Sequence, residues 1–147
     1  MNAETIQQIA RQTVKLESEA ISQLESYINS DFVQSVEVIA ACKGRLVISG
    51  IGKSAVIAQK IVATFNSTGT PAIFMHAADA IHGDLGMVQQ EDVVIVISKS
   101  GESPEIKVLI PLIKNFGNVL IAIVGNIDSY LAKQANLVLN TTVSQEA

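Results

Sequence analysis

Apolar and polar positions along this chain change period in a regular alternation. Through the polar residues 2–29, Ile6, Ile9, Leu16, Leu24 and Tyr27 recur at near-helical intervals, which predicts an amphipathic helix with a thin apolar stripe. A stripe this thin is expected to complete its burial against another subunit. Asp31 then reads as the N-cap of a second helix, with Phe32, Val33, Val36, Ile39 and Ala40 as its apolar face and an end near Lys43 and Gly44. From there the pattern shifts to short, unbroken apolar runs, as expected of strands buried on both faces. These place strands at Arg45 to Ser49, Ala72 to Met75, Asp92 to Ile97, Val119 to Val124 and Leu137 to Leu139. Helices are predicted from the glycine turn at residues 50–54 to Ser67, from Pro104 to Asn115, and from Ser129 to Gln134. The stretch from His76 to Met87 has no clean period and is expected to be irregular, with one helical turn at Ala77 to Ile81. Long loops of this kind in compact domains are usually functional.

Alternation of strands and helices predicts an α/β fold: a three-layer, doubly wound, five-stranded parallel sheet flanked by helices, flavodoxin-like in kind. The 147 residues are read as a single domain, 1–147. Composition agrees, because 48% of the residues are apolar but only 4% aromatic, with no Trp. The core is therefore built from Ile, Val, Leu and Ala. A net charge of -4 without a Lys/Arg run argues against a nucleic-acid partner. No apolar run approaches the roughly 20 residues of a membrane span. The single cysteine, Cys42, cannot form an internal disulfide and reads as a buried small hydrophobe; with no signal-peptide pattern the expected compartment is the cytoplasm.

Candidate chemistry sits at the predicted carboxyl ends of the strands, where open parallel sheets collect ligands. The run Ser98-Lys99-Ser100-Gly101-Glu102-Ser103-Pro104-Glu105 follows a buried strand and leads into a helix that proline can start. Three hydroxyls around one glycine, facing the free N–H groups of a starting helix, make a cradle for a phosphate monoester. Capping accounts for one serine, not three. Gly50-Ile51-Gly52-Lys53-Ser54-Ala55 invites two nucleotide readings. A Walker A loop fails because Val47 stands where glycine is required. The dinucleotide fingerprint G-x-G-x-x-A fits the turn, but the next strand ends Phe74-Met75-His76, without the acid or arginine that would hold the ribose. Lys53 stands against the helix dipole, which suggests an anion or a developing oxyanion opposite it. His76, His82, Asp79 and Asp84 lack a tight metal-binding spacing, so no metal is assigned and one histidine is expected to be functional, the other structural. Glu105 opens a helix, where a carboxylate is stabilised with or without a chemical role. Glu102 is expected to face solvent or pair locally and is left outside the catalytic set.

Gly-Ile-Gly-Lys-Ser at 50–54, Ser-Thr-Gly-Thr-Pro at 67–71, His-Gly-Asp-Leu-Gly-Met-Val at 82–88 and Ser-Gly-Glu-Ser at 100–103 together resemble the sugar isomerase (SIS) domain family, in its D-arabinose 5-phosphate isomerase branch. The hydroxyl loop indicates only some SIS domain; the His82 segment is the specific part. The resemblance implies interconversion of D-ribulose 5-phosphate and D-arabinose 5-phosphate through an enediol, without a cofactor, for octulosonate synthesis in lipopolysaccharide or capsule. Matched position by position, it places the catalytic lysine at Lys53, the histidine at His82 and the glutamates at Glu105 and Glu146. It places the phosphate contacts at Ser98, Ser100 and Ser103, with Gly52 and Ser54 in the first glycine turn. It also implies a homo-oligomer, dimer or tetramer, with active sites shared between subunits. The chain departs from the family in carrying Ala55 for the usual glycine and Lys99 for a neutral residue, and it stops at Glu146-Ala147. Family members continue there through a last helix, a further histidine and a pair of CBS modules. The alternative function is a non-catalytic, sugar-phosphate-binding regulatory module. Such a module could dispense with Lys53, His82 and Glu105.

Overall fold

The computed structural model describes residues 2–145. Helix α1 (Ala3–Gln23) ends in one 3-10 turn (Leu24–Tyr27) and is followed by α2 (Ser30–Ala40). Strands and helices then alternate: β1 (Leu46–Gly50), α3 (Lys53–Ser67), β2 (Ala72–His76), α4 (Ala77–Ala80), β3 (Val93–Ser98), α5 (Pro104–Phe116), β4 (Val119–Val124), α6 (Tyr130–Gln134) and β5 (Leu137–Asn140). All neighbouring strands are parallel, in the order β2-β1-β3-β4-β5. The doubly wound, three-layer sheet expected from the periodicity is therefore present, and its order switches direction between β1 and β3.

Alternate residues of the strands feed two cores. On one face Val47, Val94, Val96, Leu120 and Ala122 pack with Ala77 and Ala80 of α4, Ile106, Leu109, Ile110 and Ile113 of α5, and Leu131 of α6. On the other, Leu46, Ile48, Ile95 and Ile121 pack with Ala58 of α3 and with Val38 and Ile39 of α2. Thus α3 and α5 flank the β1/β3 switch from opposite faces. No residue of α1 is buried, and Ile6, Ile9, Val14 and Ile21 stay about half or more exposed. Among the described residues no helix is long and apolar enough to cross a membrane.

Three local expectations change. The cap of α2 is Asn29, whose Oδ1 accepts from the Asp31 and Phe32 N–H groups at 3.0 and 3.2 Å. Asp31 instead accepts the Val138 N–H at 2.9 Å, drawn to a donor on an edge strand that no neighbouring strand can use. Cys42 is half-buried rather than buried, its Sγ 3.7 Å from the Arg45 carbonyl and 3.6 Å from that of Glu91. The stretch after β2 is more regular than expected, with α4 followed by a 3-10 turn at Asp84–Met87.

The amino edge of the sheet is pinned by a buried carboxylate. Asp92 is 3% exposed and accepts from Arg45 N at 2.8 Å, Arg45 Nη2 at 3.2 Å and Gln89 N at 2.9 Å. Burial, the strongest single influence, pushes its pKa up, but the hydrogen bonds from Gln89 and Arg45 together with the Arg45 charge outweigh it and leave it below the ordinary 3.8. Asn118 Nδ2 donates to the Asp92 and Gln89 carbonyls, both at 2.8 Å, and ties β4 into the same knot. Chemistry is left to the opposite edge.

Candidate active site

At the carboxyl edge, Gly50 stands in register with His76 of β2 on one side and Ile97 of β3 on the other. The turns leaving β1 and β3 are therefore neighbours at the switch. Helix α3 starts from Gly52 at φ 58, a left-handed backbone that favours glycine, and Lys53 is its first residue, exposed to solvent. Ser54 follows it, half-buried. Helix α5 starts after Ser103, with Pro104 first and a half-buried Glu105 second.

These two helices lack what α1 and α2 possess. Asn2 and Asn29 cap α1 and α2 with side-chain hydrogen bonds, whereas neither Gly52 nor Ser103 makes one. The cap expected from one of the loop serines is thus not made at α5. Two helix starts without a side-chain cap thus stand at the carboxyl ends of β1 and β3, where doubly wound sheets open a crevice and where helix starts are suited to anions.

The hydroxyl turn is held from behind. Ser98, 4% exposed, accepts the Gly101 N–H at 3.0 Å, and Ser100 Oγ accepts the Glu102 N–H at 3.3 Å. Both act there as acceptors, Ser98 from within the core and Ser100 at the exposed surface of the turn. Gly101 has φ 64, and a side chain on it would run into the buried Ser129. Its carbonyl accepts from Leu131 N at 3.1 Å, and the Lys99 carbonyl accepts from Gly125 N at 3.0 Å. Glu102 makes two short contacts: Oε1 accepts from Tyr130 N at 2.6 Å and Oε2 pairs with Lys107 Nζ at 2.7 Å. The Lys107 hydrogen bond, then the Tyr130 N–H, hold its carboxyl below the ordinary range. Local pairing was expected of Glu102; its tie to α6, 28 residues on, was not legible, because contact across such a separation leaves no periodic signal.

The segment after β2 brings in the histidines. His82 is exposed, and its N–H is held by the Asp79 carbonyl at 2.9 Å. The Asp79 carboxylate in turn lies 3.6 Å from His76 Nδ1. His76 closes β2 beside Gly50 and stacks edge-on with Phe74 at 6.2 Å between ring centres. The loops carrying Lys53, Ser54, Ser98, Ser100, Ser103, Glu105 and His82 thus leave three adjacent strands; Glu146 lies outside the described residues. Among the described residues no group of three or more His, Cys, Asp or Glu could hold a metal.

Comparison with known proteins places this geometry in a family. The SIS domain model matches residues 39–147. Arabinose 5-phosphate isomerase KdsD of Pseudomonas aeruginosa is 48% identical over 138 residues, 94% of this chain and 42% of the relative. KdsD of Escherichia coli K12 is 46% identical over 141 residues, 96% of this chain and 43% of the relative. The chain thus spans about two fifths of these curated relatives. An Escherichia coli CFT073 protein solved in complex with arabinose 5-phosphate superposes with a TM-score of 0.93 at 40% identity, over 99% of this chain and 78% of that one. With a family model over most of its length, and a sheet whose switch point carries the hydroxyl turn, the chain belongs to the SIS domain family.

Proposed function

We propose that the chain is the catalytic domain of an aldose-ketose isomerase that interconverts D-arabinose 5-phosphate and D-ribulose 5-phosphate without a cofactor. The observation that carries this reading is the pair of helix starts without side-chain caps at the β1/β3 switch. Lys53 stands on one, Glu105 on the other, and three serines lie in the turn that leads into α5. The names of the relatives and the arabinose 5-phosphate complex of a structural neighbour support a pentose phosphate as the guest.

The phosphate, with between one and two negative charges near neutral pH, is received by Ser98, Ser100 and Ser103, the start of α5, and the Gly52–Ser54 turn. It anchors the sugar away from the reacting carbons, so binding energy orients carbons 1 and 2. From the aldose, a base removes the proton on carbon 2; the electron pair forms the C1–C2 double bond, and charge passes to O1. A proton moves onto O1, another leaves O2, and carbon 1 takes up a proton as the ketone forms. Lys53 supplies positive charge opposite the oxyanion. His82, Glu105 and Glu146 share the proton transfers. We place the protein in the cytoplasm as a homo-oligomer, dimer or tetramer, covering the exposed stripe of α1, and its product in octulosonate synthesis for lipopolysaccharide or capsule.

The test is proton exchange at carbon 2 of arabinose 5-phosphate in deuterated water, followed by NMR. Exchange is expected, and Glu105→Gln should slow it by about 10²- to 10⁴-fold while sugar-phosphate binding stays detectable. Binding without exchange in the unaltered chain would favour a regulatory module or an incomplete enzyme instead. Equal affinity for arabinose and its 5-phosphate would remove the anchor.

A further inference from the structure

We propose that Glu102 is a positioning residue: its carboxylate locks the hydroxyl turn to the start of α6 and so sets the shape in which the turn meets a phosphate. The inference rests on the function proposed above. A carboxylate inside a phosphate-binding turn is a liability unless its charge is answered, because like charges at short range repel. Here both oxygens are answered, Oε1 by Tyr130 N at 2.6 Å and Oε2 by Lys107 Nζ at 2.7 Å.

The lock runs in parallel with the backbone. Tyr130 N goes to Glu102, Leu131 N to the Gly101 carbonyl at 3.1 Å, and Ala132 N to Ser129 Oγ at 3.3 Å. The first three donors of α6 are thereby taken up within the protein, whereas no side chain caps α5. A phosphate entering the crevice is therefore directed to α5. The Glu102 and Lys107 side chains remain 43% and 47% exposed, and exposed pairs contribute little to stability. The contact thus acts on the shape of the turn more than on global folding.

The experiment titrates inorganic phosphate and arabinose 5-phosphate into the 147-residue chain and its variants by calorimetry, with thermal unfolding alongside. Glu102→Ala is expected to weaken both ligands by about tenfold while Tm moves by less than about 3 °C. Glu102→Gln keeps an oxygen for the Tyr130 N–H and should restore most of the affinity. A second pair of variants acts from the other side of the bond. Tyr130→Pro deletes the N–H at the first helical position, where proline is tolerated, and the extended Ser129 backbone before it, ψ 163, suits a following proline. Tyr130→Ala removes only the ring. The expected result is weaker binding in Tyr130→Pro than in Tyr130→Ala, with no further loss when Glu102→Ala is added to Tyr130→Pro. Phosphate binding as tight in Glu102→Ala as in the unaltered chain, or additive losses in the double variant, would overturn the positioning role alone. Failure of the unaltered chain to bind either ligand would remove the parent reading, and this one with it.

Discussion

Adding one methyl group at Gly101 should disable the hydroxyl turn, and the structure says by how much. At φ 64 an alanine carries the left-handed cost of about 1–2 kcal/mol. Its methyl would also run into Ser129, which is 1% exposed and cannot step aside into water. Ser129 Oγ accepts the Ala132 N–H at 3.3 Å, so displacing it removes the cap of α6, worth about 1 kcal/mol. Gly101→Ala is therefore expected to cost roughly 2–3 kcal/mol by sum of these effects. Ser129→Gly opens the space needed and, as glycine is an acceptable cap, should cost only a few tenths of a kcal/mol. The double variant should then keep the backbone strain and lose the collision, a coupling of about 1 kcal/mol in favour of the pair. Urea unfolding at pH 7 measures all four corners of this cycle, provided the slopes agree. Phosphate affinity should fall in Gly101→Ala and recover in part in the double variant. Free energies additive to within about 0.5 kcal/mol would refute the claim that Ser129 shapes the turn.

Two further expectations concern opposite edges of the sheet. Ser100→Ala removes one exposed donor, and a hydrogen bond to a charged group is worth about 1.5–3 kcal/mol; pentose phosphate should bind about tenfold or more weakly while unphosphorylated arabinose is unaffected, and equal losses for both sugars would refute the assignment. Asp92→Asn should cost about 2–4 kcal/mol at pH 7, below the full penalty of a broken buried pair because Arg45 can reach water. Since the folded pKa of Asp92 lies below its ordinary 3.8, its contribution is complete above that value and disappears as pH falls through the folded pKa. Urea titrations from pH 7 to pH 3 should show the gap between the two proteins narrowing; a gap that widens toward acid would contradict the sign.

The sheet was legible because its evidence is local and repeated. Val93 to Ile97 and Val119 to Val124 are apolar at every position, so burial on both faces could be read residue by residue. The hydroxyl turn was legible for a similar reason, since its serines, glycine and helix-starting proline are adjacent in the chain. Less visible was anything decided by choice between equivalent partners. Asn29 and Asp31 both suit a cap, and only the position of Val138 in the folded sheet sends Asp31 elsewhere. One of the loop serines looked able to cap α5, and Ser103, which stands at that position, does not. The 3-10 turn at Asp84–Met87 escaped because four residues are too few to show a period.

Leaving α3 and α5 without side-chain caps has a consequence outside the chemistry. The ligand-free protein keeps hydrogen-bonding capacity that a guest can satisfy, so occupancy and resistance to unfolding rise together. A ligand at a hundred times its Kd adds about 2.7 kcal/mol by mass action alone. In a growing cell, the fraction of molecules open to proteases would shrink as such a ligand accumulates, and the abundance of the protein would follow the supply of what it binds.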